Sequence, residues 1–206
     1  MSNAGPLPTG FRLFLASQSP RRRQLLDQIG LQYSVLNVDV VEQVQPGETA
    51  RDYVQRVAND KARAGWKQVA AVPSALVLAA DTEVVLDSEV FGKPASVDAA
   101  ARMLRRLSGR VHQVLSAVSL LGASAERSDV CCTHVRFRTL SESLLADYLA
   151  SGEWADKAGA YAIQGRAAAF IERIEGSYSG VMGLPLFETA ALLRDWPAVG
   201  QGVAQK

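Results

Sequence analysis

The sequence is poor in the residues that build disulfide scaffolds and metal clusters: its 206 residues hold two cysteines and two histidines. Cys131 and Cys132 are adjacent, so they cannot staple distant segments, and no Cys-x-x-Cys pair or His/Cys ligand spacing occurs. Free thiols of this kind fit a reducing compartment, which points to the cytoplasm. An excess of charge of one sign is also missing. Lys and Arg total 22 against 21 Asp and Glu, a net charge of +1, which gives no global field to hold nucleic acid by its backbone. Any anion site must therefore be local. No apolar run approaches the roughly 20 residues of a membrane helix, and the start of the chain lacks the basic, apolar and small-residue segments of a secretion signal. No repeat occurs, and no Ser, His and acid triad is evident. What remains, at 48% hydrophobic and 21% charged residues, is an ordinary globular composition. The fold is expected over residues 11–197, as one domain, between a flexible extension over 1–10 and a flexible tail over 198–206.

The most informative stretch lies near the start. Residues 11–16 form a short apolar run suited to a buried strand, and Pro20 stands in the first turn of a helix, behind Ser19 as N-cap. Leu25, Leu26 and Ile29 supply an apolar helical face, with Gly30 as the stop. Arg21, Arg22 and Arg23 crowd the helix start, where the dipole favours acidic residues by roughly 0.3–1 kcal/mol each. The conflict points to a bound anion, the alternative being a solvated basic helix surface. A phosphate chain there would collect backbone N–H groups, the Ser17 and Ser19 hydroxyls and the guanidinium forks.

Further along, residues 33–38 suggest a strand, followed by an acidic connection over 39–48 that contains Glu42. Thr49 and Asp52 start a helix running to about Gly65, with an apolar stripe of Val54, Val57 and Ala58 that continues into Lys61. A lysine in that row either snorkels to the edge or points into a cleft. Residues 76–80 read as a central strand that delivers Asp81 and Thr82 at its carboxyl end, where open α/β sheets place ligands. Residues 83–94 read as a hairpin about Asp87-Ser88 that folds Lys93 back toward Asp81. Ser96 caps a helix ended by Gly109, and Arg102, Arg105, Arg106 and Arg110 form its solvated outer face. Strands follow near 111–121 and 130–139; His112 and His134 have no ligand partners nearby and are given no catalytic role. Ser141 starts another helix. Residues 156–165 are too rich in glycine and alanine for a helix core and suit a loop whose backbone approaches a ligand. Residues 168–174 and 177–182 read as a hairpin, and Gly183-Leu184-Pro185 opens the last helix.

Ser17-Gln18-Ser19-Pro20-Arg21-Arg22 resembles the S-x-S-P-R-R signature of the Maf family of nucleotide pyrophosphatases, which cut a nucleoside triphosphate into a monophosphate and pyrophosphate. The resemblance covers nearly the whole chain, through an A-D-T…G-K-P block at 80–94 and a D-K-A-G-x-Y-x-I-Q-G block at 156–165. It implies a mixed α/β fold of the Maf/ITPase-like kind: an elongated, twisted mixed sheet flanked by helices, with two lobes around a central cleft. It also implies a homodimer; from the balanced charge and the lack of a long apolar run, neither nucleic acid nor membrane is expected as a stable partner. In the family pattern Asp81 is the proton acceptor, Lys61 and Lys93 contact phosphates, and Glu42 is an acidic cleft residue suited to metal or water. Ser17, Arg21 and Arg22 complete the phosphate site.

Cleaving a phosphoanhydride needs in-line attack and neutralisation of the departing charge. Glu42 and Asp81 are therefore expected to hold Mg²⁺ or Mn²⁺, directly or through water, while Asp81 takes a proton from the attacking water. Arg21, Thr82 and Gln164 match the positions that separate a branch acting on dTTP and UTP from one acting on 7-methyl-GTP, which carries glutamine after the aspartate and lacks I-Q-G. An amide can pair with a thymine or uracil edge through one donor and one acceptor. Ala162 stands where relatives often carry glycine, a departure that removes no chemistry. Three competing readings are a Maf enzyme of different base specificity, a nucleotide-sensing or nucleic-acid-binding regulator of cell division that does not hydrolyse, and a structural interaction protein, the last disfavoured because charged residues interrupt otherwise buried patterns.

Overall fold

The organising element of the computed structural model, which describes residues 10–197, is one long strand. Gly10 apart, the extension and tail expected at the chain ends lie outside the described residues. The strand, β3 (Ala75–Leu86), is buried at every position except Thr82, as a continuous apolar run requires when helices cover both faces of a sheet. β1 (Arg12–Leu15) runs parallel to it from Arg12 opposite Ala75 to Leu15 opposite Leu78, and β2 (Ser34–Val35) lies parallel beyond β1. On the other edge come β5 (Val111–Gly122), β6 (Glu126–Phe137) and β7 (Ile171–Glu175), each antiparallel to its neighbour. β4 (Glu89–Phe91) turns back against Val84, Val85 and Leu86. The fold is thus the expected mixed α/β, a seven-stranded mixed sheet with helices on its flanks.

The pairing registers create the cleft. β5 lines one edge of β3 from Leu76 to Val85, so β1 and β4 share the opposite edge. β1 ends opposite Leu78 and β4, running the other way, ends opposite Val84, so among the described residues no strand pairs with 79–83 on that side.

Side chains alternate across β3. Odd-numbered residues face α2 (Ala50–Val69): Ala75, Val77 and Ala79 pack with Ala62 and Val69, and Val85 packs with Val54 and Ala58. Even-numbered Leu76, Leu78, Ala80, Val84 and Leu86 join the large core on the other face, with Leu25 and Leu26 of α1 (Pro20–Gln28) and Leu104 and Leu107 of α3 (Val97–Leu107). Asp81 and Glu83 stand in the odd row, between the two small clusters under α2. A fully buried leucine or valine contributes about 1.5–3 kcal/mol, so the apolar residues of β3 offset two buried carboxyl groups. The remaining helices are α4 (Glu142–Ala150), α5 (Tyr178–Met182) and α6 (Leu186–Arg194).

Several local expectations are corrected. Asp81 and Thr82 do not end their strand; they lie in its middle, beyond the end of its parallel neighbour β1. The first long helix does not stop at Gly65 but continues to Val69, and Gly65 is there for space: a Cβ would lie 2.9 Å from Val77 Cγ1 and 3.0 Å from Ala16 Cβ. The hairpin expected over 168–182 is a 3₁₀ turn (Arg166–Phe170), the strand β7 and the helix α5, which Ser177 caps through the Gly180 N–H. The strand expected over 33–38 pairs only at Ser34 and Val35. Three of the four arginines near α3 are ion-paired at the surface rather than merely solvated, with Glu142, Glu89 and Asp87. The hairpin between β3 and β4 is as expected, its Asp87 and Ser88 at φ of 53° and 66°, the backbone of a two-residue I′-type turn.

Candidate active site

The gap beside β3 opens into a cleft of about 640 Å³. All nine residues singled out from the sequence line it: Ser17, Arg21, Arg22, Glu42, Lys61, Asp81, Thr82, Lys93 and Gln164. β3 divides this cleft into two unlike halves.

The α2 half is charged. Lys61 follows Val54, Val57 and Ala58 along the buried stripe and brings its ammonium group to Asp81 Oδ1 at 2.7 Å and Glu42 Oε1 at 2.6 Å. Lys93, carried back by the β3–β4 hairpin, reaches Glu42 Oε2 at 3.2 Å. Burial pushes the Glu42 carboxyl up, but the two lysines outweigh it and hold the group below the ordinary carboxylate range. Asp81 is 5% exposed, and its Oδ2 is buried without a hydrogen-bond partner. Among the described residues no three His, Cys, Asp or Glu side chains are grouped to hold a metal ion.

The α1 half presents cations. Ser19 is the N-cap by backbone geometry, but its side chain makes no capping bond, and the first turn holds no acidic residue. Arg22 donates from Nε to the Gly183 carbonyl at 2.7 Å and from Nη1 to Ser17 Oγ at 3.1 Å, which fixes the plane of its guanidinium. Burial lowers the Arg22 pKa despite Asp81 nearby, and burial lowers that of Arg21 too. Lys157 is lowered by burial and then by Arg21, so two cations confront each other across the cleft. Among the described residues neither Arg21 nor Lys157 is ion-paired to a carboxylate, and an anion between them would relieve both.

On the even-numbered face, which α1 shares, the cleft also has apolar lining from Val84, Val114, Tyr161, Val181 and Met182; Val84 and Val114 stand next to Thr82 and Ser116 in the β3–β5 register, and Arg22 and Thr82 both border Gly183. Thr82 Oγ1 lies 2.8 Å from Ser116 Oγ on β5. Gln164 is exposed at the rim. The loop at 156–165 does make a close backbone approach, but at Gly159 it is to the protein: a Cβ there would meet Val84 Cγ2 at 2.8 Å.

Sequence reasoning missed three residues of this cleft or its wall. Glu83 follows Asp81 by two on the same face, and burial, then Asp81 and Glu42, push its carboxyl up to about 8, so it carries a proton at neutral pH. A glutamate in a strand of otherwise buried residues was the available signal. Lys157 stands inside the glycine-rich block at 156–165 with no pattern of its own to mark it, and Ser116 is a lone polar residue inside a buried strand. A second hollow of about 700 Å³, near Glu48, Asp87 and His112, is the larger but carries no comparable chemistry, because Glu48 and Asp87 are neutralised by Arg56 and Arg110.

Comparison with known proteins gives a consistent match. A family model described as Maf-like protein matches residues 12–196. A dTTP/UTP pyrophosphatase of Methylococcus capsulatus is 55% identical over 194 residues, covering 94% of each chain. Proteins of the same name from Chromobacterium violaceum and Bordetella bronchiseptica are 49% and 54% identical, covering 90% and 89% of this chain and 94% and 91% of their own.

Proposed function

Because the chain belongs to the Maf-like protein family, we propose that it is a pyrophosphatase that hydrolyses dTTP and UTP to the nucleoside monophosphate and pyrophosphate, with residues 11–197 acting as one catalytic unit. One observation carries the mechanism: a carboxylate pair clamped on Lys61 shares a single cleft with the Arg21 and Arg22 anion seat.

The triphosphate lies along the cleft, its leaving β- and γ-phosphates met by Arg21, Arg22, Lys61 and Lys93. Arg22 is the best organised of these, because the Gly183 carbonyl and Ser17 hold two of its nitrogens in place before substrate arrives. Ser17 positions one phosphate. Asp81 accepts a proton from a water attacking the α-phosphorus, the Pα–O bond to the β-phosphate breaks, and pyrophosphate departs.

Glu42 and Asp81 are hard oxygen donors of the kind that hold Mg²⁺ or Mn²⁺ with one or two carboxylates and substrate phosphates, and the unpartnered Asp81 oxygen fits this use. Such a cation, when bound, supplies charge neutralisation on the phosphate oxygens. Thr82, Gln164 and Arg21 select the base. The same reading places the enzyme in the cytoplasm, where its substrates are, as a homodimer, which cell fractionation and light scattering would test.

Asp81→Asn tests the core of the proposal. Turnover of dTTP and UTP should fall by roughly 10²–10⁴-fold, with the unfolding temperature within a few degrees of the parent. A variant that releases pyrophosphate at the parent rate would remove Asp81 from its role.

A further inference from the structure

Thr82 lines the even-numbered face of the cleft, and the direction of its hydrogen bond follows from its neighbours. Ser116, opposite Thr82 in the β3–β5 register and 1% exposed, lies 2.6 Å from the Gly180 carbonyl oxygen. A carbonyl only accepts, so the single Ser116 proton is committed to Gly180. Ser116 can then only accept from Thr82, across their 2.8 Å contact. Thr82 has spent its one proton as well. Toward the cleft it presents lone pairs alone, and any ligand group that meets it must be a donor.

From this geometry, and resting on the dTTP/UTP reading above, we infer that Ser116 is a positioning residue for base selection: it fixes Thr82 as an acceptor for the ring N3–H of thymine or uracil. Val84 and Val114, next to Thr82 and Ser116 in the β3–β5 register, give this part of the cleft an apolar wall that suits a base plane, and Arg22 borders it across Gly183 on the side of the phosphate seat. Thymine and uracil share one ring N–H, at N3. Cytosine carries a bare lone pair at that position, so two acceptors would face each other there, unpaired and desolvated. The same relay reaches the phosphate seat. Gly180 O also accepts from the Gly183 N–H at 2.9 Å, and the Gly183 carbonyl holds Arg22 Nε. One short segment therefore orients both the base acceptor and an arginine of the anion seat.

The test compares UTP, CTP, N3-methyl-UTP and 3′-deoxy-UTP as substrates of the parent protein, and repeats UTP and CTP with Ser116→Ala and Ser116→Thr. The parent should lose about 10- to 100-fold in kcat/KM when N3 is methylated or when CTP replaces UTP, and much less with the 3′-deoxy sugar. Ser116→Ala frees the Thr82 proton to turn toward cytosine N3, so its UTP to CTP ratio should narrow by about tenfold. Ser116→Thr keeps a hydroxyl and should retain the parent ratio. Parent turnover of N3-methyl-UTP at the rate for UTP would overturn the inference while leaving the pyrophosphatase reading intact, and this arm needs no variant to fold. A large loss confined to the 3′-deoxy compound would assign the acceptor to the sugar, and a folded Ser116→Ala protein with an unchanged ratio would show that Ser116 sets nothing; either overturns it. Failure of the parent to cleave UTP at all would instead remove the reading on which the inference stands.

Discussion

His112 sits on β5 with its Nε2 2.8 Å from the Tyr161 hydroxyl, its Nδ1 without a partner, and its ring edge-on to Phe137 and Tyr161. Burial alone pushes its pKa down from the ordinary 6.5 to about 4. The unfolded chain takes up a proton near pH 6.5 while the folded chain holds out to about 4, so between these values the unfolded state binds more protons. The stability tied to neutral His112 is therefore present above about pH 6.5 and is lost as pH falls toward 4. At 1.36 kcal/mol per unit the loss is on the order of 3 kcal/mol. His112→Gln should flatten the fall in unfolding temperature over this range relative to the parent, as measured by thermal melts in a series of buffers. Parallel curves would mean that another group carries the acid sensitivity. Such a residue is silent in sequence. A lone histidine in a strand pattern signals neither a buried tyrosine partner supplied from 49 positions away nor the aromatic cluster around it.

At the scale of elements, α2 shows what local pattern conveys and what it does not. The stripe of Val54, Val57, Ala58 and Lys61 was legible because helical spacing is a local property, and the buried lysine at its end does meet two carboxylates. Gly65 was misread as a stop because the reason for a glycine there lies across the sheet, in Val77, Ala16 and Leu36. Gly65→Ala sets two effects against each other. Alanine favours a helix over glycine by about 0.8–1.0 kcal/mol, whereas overpacking a filled core costs about 1–3 kcal/mol. Ala16 Cβ, 3.0 Å from the added atom, has no rotamer into which to retreat. The cost should win, with an unfolding temperature lowered by a few degrees and, because α2 carries Lys61, a lower kcat; a rise in stability would show that the helix moves freely from β3. α5 was misread as a strand for a different reason. At five residues, Tyr178–Met182 is too short to display a helical period. The free edge of β3 was beyond reach, since it depends on where β1 and β4 stop, two pairings set by distant parts of the chain.

For the molecule as a whole, the net charge of +1 and the cationic cleft make opposite forecasts for anion binding. A globally basic protein attracts any polyanion from a distance and loses it steeply with salt. Here the attraction is confined to half-buried groups, Arg21, Arg22 and Lys157 facing one another, with Lys61 and Lys93 already occupied by Glu42 and Asp81. Burial has weakened the charged form of the first three, and an anion seated among them would restore it. Pyrophosphate itself, with chelator present to remove divalent cations, should therefore bind and raise the unfolding temperature. At a hundred times its dissociation constant, linkage gives about 2.7 kcal/mol, or roughly 5–10 °C for a chain of this length. Raising NaCl from 50 to 200 mM should reduce the shift only modestly, because charges inside a cleft are screened less than exposed ones. Arg21→Ala with Lys157→Ala removes two of the three cations of this seat, all three without a carboxylate ion pair among the described residues, and leaves Arg22 held by the Gly183 carbonyl and Ser17; it should abolish most of the shift while the ion pairs around Lys61 persist. A shift that survives the double substitution would place the anion on Arg22 or on the lysines of the α2 half instead of between Arg21 and Lys157. One that collapses in 200 mM NaCl would mean that the cations act as exposed surface charge and the seat does not exist as a desolvated site.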